Sequence, residues 1–178
     1  LLFFGEVDVS YLIAIFWGLG AILLLLGSAI YRLGLISLDM FSYPMGWLHW
    51  LALFVSLVFM GFSEGYRGFQ KGFSPRVASR IYYLAQNPTP LRLLLAPAFC
   101  LGLFDVERKR QMITLTLMVA IVLVVQVVHL MPQPWRGIID AGVVLGLGWG
   151  VITLLIFTVS AFVSREFEHV PEMPDTVR

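Results

Sequence analysis

Long apolar runs broken by short polar intervals set the pattern of this chain. Four intervals are long and apolar enough to cross a bilayer: 9–31, 45–65 with an extension to about 73, 112–131 and 138–163. A crossing needs about 20 such residues to span a hydrocarbon core of ~30 Å. The expected fold is therefore all-α, an integral membrane protein with four transmembrane helices in one domain. Tyr11, Trp17, Tyr31 and Arg32 are placed to anchor the ends of the first helix, and Trp47, His49 and Trp50 lie in an aromatic belt at the start of the second. The first run is long enough to span and lacks a small-residue cleavage site, so it reads as a span and not as a signal peptide.

Between the second and third spans the pattern changes. The interval 61–80 reads GFSEGYRGFQKGFSPRVASR. On a continuous α-helix Gly61, Gly65, Gly68 and Gly72 share one face, Phe62, Tyr66, Phe69 and Phe73 an adjacent one, and Glu64, Arg67 and Lys71 a third. A glycine inside a helix costs roughly 1 kcal/mol against alanine, so four on one face imply the close approach of another backbone. Ser74-Pro75 has the form of an N-cap and first position of a separate helix over 75–86. Its apolar face (Val77, Ala78, Ile81, Leu84, Ala85) opposes Arg76, Ser79, Arg80 and Tyr83, the pattern of a cytoplasmic amphipathic helix lying in the interface. After Asn87-Pro88-Thr89-Pro90, the apolar run 91–104 is only 14 residues and holds Pro97. At 1.5 Å per residue it reaches ~21 Å, too short for a span, and is expected to be re-entrant or interfacial. In the fourth span Gly142, Gly146 and Gly150 form a double GxxxG ridge. Residues 164–178 are a polar, acidic tail.

Charge sets the expected orientation. Of the 12 Lys and Arg residues, eight fall between spans two and three: Arg67, Lys71, Arg76, Arg80, Arg92, Arg108, Lys109 and Arg110. The positive-inside rule puts that region, and with four spans both termini, in the cytoplasm of a bacterial inner membrane. On this reading Gly61 to Gly72 lie at the cytoplasmic end of span two, and Gly142 to Gly150 in the outer half of span four. The two glycine series are then at different depths. The ridge of span four would pack on span one near Gly27 or on span two.

Composition agrees with a membrane location: 59% of residues are hydrophobic, 13% charged, and the mean hydropathy is +0.87. A net charge of +1 and the lack of a basic-aromatic motif give no reason to expect a nucleic-acid partner. Cys100, the one cysteine, reads as a small buried apolar residue. Glu64, Arg67 and Asp105 could form an ion network at the cytoplasmic edge, and Asp140 complements the start of span four, four residues after Arg136.

No catalytic grouping or metal motif is present in the sequence, and no Asp, Glu, Lys or Arg is expected in the middle of a span. The expectation is a non-catalytic accessory or assembly subunit without a cofactor. Its basic platform, carried by Arg67, Lys71, Arg76, Arg80 and Tyr83, would dock other membrane subunits and anionic phospholipid. A different class remains open: His49 and His129, on different helices near the outer surface, could hold haem b or a chlorophyll-type pigment in an electron or energy carrier. Small-solute transport is a third reading, with Gln126, Thr153 and Thr158 the polar residues available to line a path.

Overall fold

The computed structural model describes residues 9–163, so the predicted acidic tail lies outside the described residues. Helix α1 covers Val9–Asp39 and ends in a 3-10 turn, Met40–Ser42. Helix α2, Trp47–Met60, passes without a break into a π-helical segment, Gly61–Phe73, and on into α3, Ser74–Gln86. Two five-residue helices follow, α4 (Pro90–Leu94) and α5 (Ala96–Cys100), then α6 (Arg108–His129) and α7 (Trp135–Val163). Four helices are long and apolar enough to cross a membrane: α1, the rod from Trp47 to Gln86, α6 and α7. The chain is thus an all-helical multi-pass membrane protein.

Helix α7 is the axis of the bundle. One side carries α1; another carries the whole α2–π–α3 rod from Ser56 to Tyr82. Both short turns lie at one end, where Gln133 Nε2 donates to the Ile36 carbonyl at 3.1 Å and Gln133 Oε1 accepts from the Gly137 amide at 3.0 Å. Met40 and Ile138 are buried together at that end. A larger core fills the other end, with Ile22, Leu26, Val77, Ile81, Leu84, Phe99 and Leu154 buried among α1, α3, α5 and α7. Helix α6 stands apart: none of its residues is buried, it touches α7 sparsely, and at its start Gln111 Nε2 donates to the Leu103 carbonyl at 2.7 Å.

Several boundaries differ from the sequence reading. Helix α1 continues past Tyr31 to Asp39, because Leu33, Leu35, Ile36 and Leu38 extend its apolar pattern and Ser37 Oγ satisfies the Gly34 carbonyl within the helix. Ser74 does not cap a new helix. Its backbone is helical, and its amide donates to the Phe69 carbonyl five residues back. Its hydroxyl lies 2.9 Å from Thr153 Oγ1. A burial partner on α7 has outcompeted the local capping geometry. The run 91–104 becomes α4, a bend at Leu95, α5 and a turn. Pro97, at the second position of α5, sits where its missing amide has no intrahelical role.

Candidate functional site

The seam between the rod and α7 gathers the three ridge glycines of α7 and two of the four rod glycines. It is built on a change of helical repeat. In the π segment hydrogen bonds run from i to i+5, so the spacing of residues on one face stretches from three or four toward four or five. The positions that meet α7 are accordingly Ser56, Met60, Glu64 and Gly65, Phe69, and Ser74. Opposite them stand Ile138, Gly142, Gly146, Trp149, Gly150 and Thr153. A Cβ at Gly142 would lie 2.5 Å from Ser56 Oγ, and one at Gly150 2.5 Å from the Phe69 ring. At Gly146 it would lie 3.0 Å from both the Cβ and the Oε2 of Glu64. Backbone approach of this kind is what small residues provide between helices in lipid.

The same repeat divides the predicted glycine face. Gly61 and Gly65 turn toward Leu145 and Trp149 of α7, with a Gly65 Cβ 3.1 Å from the Trp149 side chain. Gly68 and Gly72 do not. The nearest atoms to their absent Cβ groups belong to their own rod: the Ser63 carbonyl at 3.4 Å for Gly68, and the Arg76 guanidinium at 3.4 Å for Gly72. The expected difference in depth is also corrected, since Glu64 to Phe69 lie level with Gly146 and Gly150. Gly27, the alternative partner for the α7 ridge, has open space where its Cβ would be.

The basic platform separates into two populations. Arg67 and Lys71 are exposed, and Lys71 Nζ sits 4.6 Å from the centroid of the Tyr66 ring. Arg76 Nε donates to the Gly72 carbonyl at 2.6 Å. Arg80 turns inward and is only 4% exposed. Its Nε donates to the Phe99 carbonyl at 2.6 Å, and its Nη2 to the carbonyls of Phe104 at 2.9 Å and Asp105 at 3.2 Å. The Phe99 carbonyl also accepts the Gly102 amide at 3.0 Å, so the guanidinium adds to a turn bond there and supplies donors to the Phe104 and Asp105 carbonyls beyond it. The guanidinium also lies 4.2 Å from the Phe99 ring centroid. Tyr83 stacks on the same ring at 6.4 Å. Arg92 completes the arrangement by pairing with Asp105 at 2.7 Å.

The Asp105 carboxylate therefore joins Arg92 while its backbone carbonyl accepts from Arg80, and the expected network with Glu64 and Arg67 does not form. Among the described residues Glu64 makes no hydrogen bond or ion pair. Arg136 and Asp140 do meet, at 3.7 Å, as their i,i+4 spacing implied. The two histidines are placed differently from each other. His49 Nδ1 accepts the Gly46 amide at 3.1 Å and closes the start of α2, with its ring 4.8 Å from that of Trp135. His129 is the exposed last residue of α6. Cys100 is buried against Gly18 of α1, and burial pushes its thiol up to about 12.

The scaffold defines the class: a multi-pass α-helical membrane protein. No protein-family model, curated protein or solved structure matches the chain at a significant level.

Proposed function

We propose that this chain is a non-catalytic accessory subunit of a bacterial inner-membrane complex, docking a second membrane protein through the exposed side of the π segment. One observation carries the reading. Arg67 and Lys71 are exposed on the rod between the residues that meet Gly146 and Thr153, along the apolar length of α7. Cations at such a level face a bundle interior or a water-filled cavity, and pair with carboxylates or backbone carbonyls. Among the described residues Glu64 offers them no ion pair, and the Asp105 carboxylate is occupied by Arg92. The partner suited to them is a membrane segment bearing a carboxylate. Gly68, exposed and clear of α7, leaves room for its backbone.

The cations between the second and third spans favour the cytoplasm for that end of the bundle, with both termini on the same side. The α4–α5 hairpin is the re-entrant or interfacial element, and exposed Arg108 and Lys109 at the start of α6 are placed to meet anionic headgroups.

Copurification in mild detergent tests the docking. A discrete protein partner that is lost from both the Arg67→Ala/Lys71→Ala double variant and Gly68→Leu, while the melting temperature stays at the wild-type value, is the expected result. A partner-free, monodisperse wild-type protein would overturn it. Gly65→Leu is the wrong probe, because its side chain would strike Trp149 within the same molecule.

A further inference from the structure

Glu64 lies where the sequence reading expected no ionisable residue. Its side chain rests on Gly146, which is 11 residues from the start of α7 at Trp135 and 17 from its end at Val163. At 1.5 Å per residue those distances are about 16 Å and 26 Å. A hydrocarbon core of ~30 Å placed anywhere along this helix therefore encloses Glu64, at least ~4 Å inside either boundary. The position holds regardless of which end of the bundle is cytoplasmic.

Among the described residues nothing offers the carboxylate a cation or a hydrogen-bond donor. Its neighbour across the seam is Gly146, and the nearest acidic residue on α7, Asp140, is more than a turn and a half away and paired with Arg136. On its own segment Arg67 is exposed and Lys71 lies over Tyr66, neither within ion-pair distance. From α3, Arg76 is bonded to the Gly72 carbonyl and Arg80 to the carbonyls of α5 and the turn after it. From α2 the one titratable side chain, His49, is at the far end, closing the helix start. An intramembrane carboxylate without a cation or hydrogen-bond donor is relieved of its charge by taking up a proton, which needs only one of its own oxygens. Sodium would need several oxygen ligands at once.

We infer that Glu64 is a proton-binding site in the interior of the membrane, held between the π segment and the glycine ridge of α7. Its placement in a run of π-helical turns fits, since such turns are concentrated at functional sites in other helices. The inference is independent of the docking proposal, which rests on Arg67 and Lys71.

A lipid-soluble carbodiimide tests it. Such a reagent adds a protonated carboxyl across its C=N bond, and an O-to-N acyl shift then gives a stable N-acylurea with no leaving group. The full-length protein in phosphatidylethanolamine/phosphatidylglycerol vesicles is treated with dicyclohexylcarbodiimide at neutral pH, and the adduct is located by peptide mass spectrometry. Modification at Glu64, unaffected by sodium and absent from Glu64→Gln, is expected. An infrared carbonyl band of protonated carboxyl, present in wild type and missing from that variant, should accompany it. Sodium-dependent protection would replace the proton with a metal cation and overturn the inference, as would an unmodified Glu64. The wild-type adduct and band decide the question even if Glu64→Gln fails to fold.

Discussion

Arg80 shows how one residue can reverse its apparent role. In sequence it belongs to a basic surface; in the fold it supplies donors for one carbonyl of α5 and two in the turn that follows, and lies over Phe99. Arg80→Ala would take the donors from the Phe104 and Asp105 carbonyls and leave Phe99 its Gly102 amide alone, and a loss of roughly 2 kcal/mol is expected. Thermal unfolding in detergent should register it as a large drop in midpoint, with Arg80→Lys only partly restoring the value because an ammonium lacks the planar fork. Cys100 gives a second residue-scale prediction. Its thiol is held up to about 12 by burial, with the Arg80 guanidinium acting in the opposite sense. Maleimide should leave it unmodified between pH 7 and about 9 and react rapidly once the protein is denatured. In an unfolded chain the thiol releases its proton near its ordinary value of 9.0, before the folded one does. Stability from this group is therefore complete below about pH 9 and declines as pH rises from there toward 12.

The repeat of the rod is the decisive feature among the elements. Heptad-like or 3.6-residue reasoning put four glycines on one face; i→i+5 bonding sends two toward α7 and two away. It also brings Ser56, Met60, Glu64, Phe69 and Ser74 into line with the α7 ridge. Gly150→Leu should then break the seam, because its first side-chain carbon would already sit 2.5 Å from Phe69. Gly148→Ala provides the contrast, since nothing lies within 4 Å of its Cβ position and alanine improves helix propensity by about 1 kcal/mol. Circular-dichroism melts of the two variants should move in opposite directions. Equal melting temperatures would mean that the ridge does not hold the helices together.

For the whole molecule, the uneven distribution of contacts matters most. Three of the four long helices share α7 as a common axis or are α7 itself, while α6 remains uncovered along its length. Apolar helix surface in a bilayer is satisfied by lipid, so α6 needs no partner to be stable. Arg67 and Lys71 have no such outlet at their level beside α7. The docking experiment reads this difference directly: removing the two cations should release a partner without disturbing insertion or melting, whereas breaking the α7 seam should do both.

Hydrophobic length alone was sufficient to identify the four helices long and apolar enough to cross a membrane, because the cost of exposing backbone and charge to hydrocarbon depends on each segment by itself. The i,i+4 pairing of Arg136 with Asp140 was equally local, and the small apolar character of Cys100 was enough to place it in a core. Tertiary contact decided the rest. Ser74 left its capping role for Thr153, Arg80 left the surface for the carbonyls of α5 and the turn after it, and Glu64 was drawn from the membrane edge to the level of Gly146. Each change depends on a group supplied by a segment 19 to 82 residues away, and on a helical repeat that no count of apolar positions encodes.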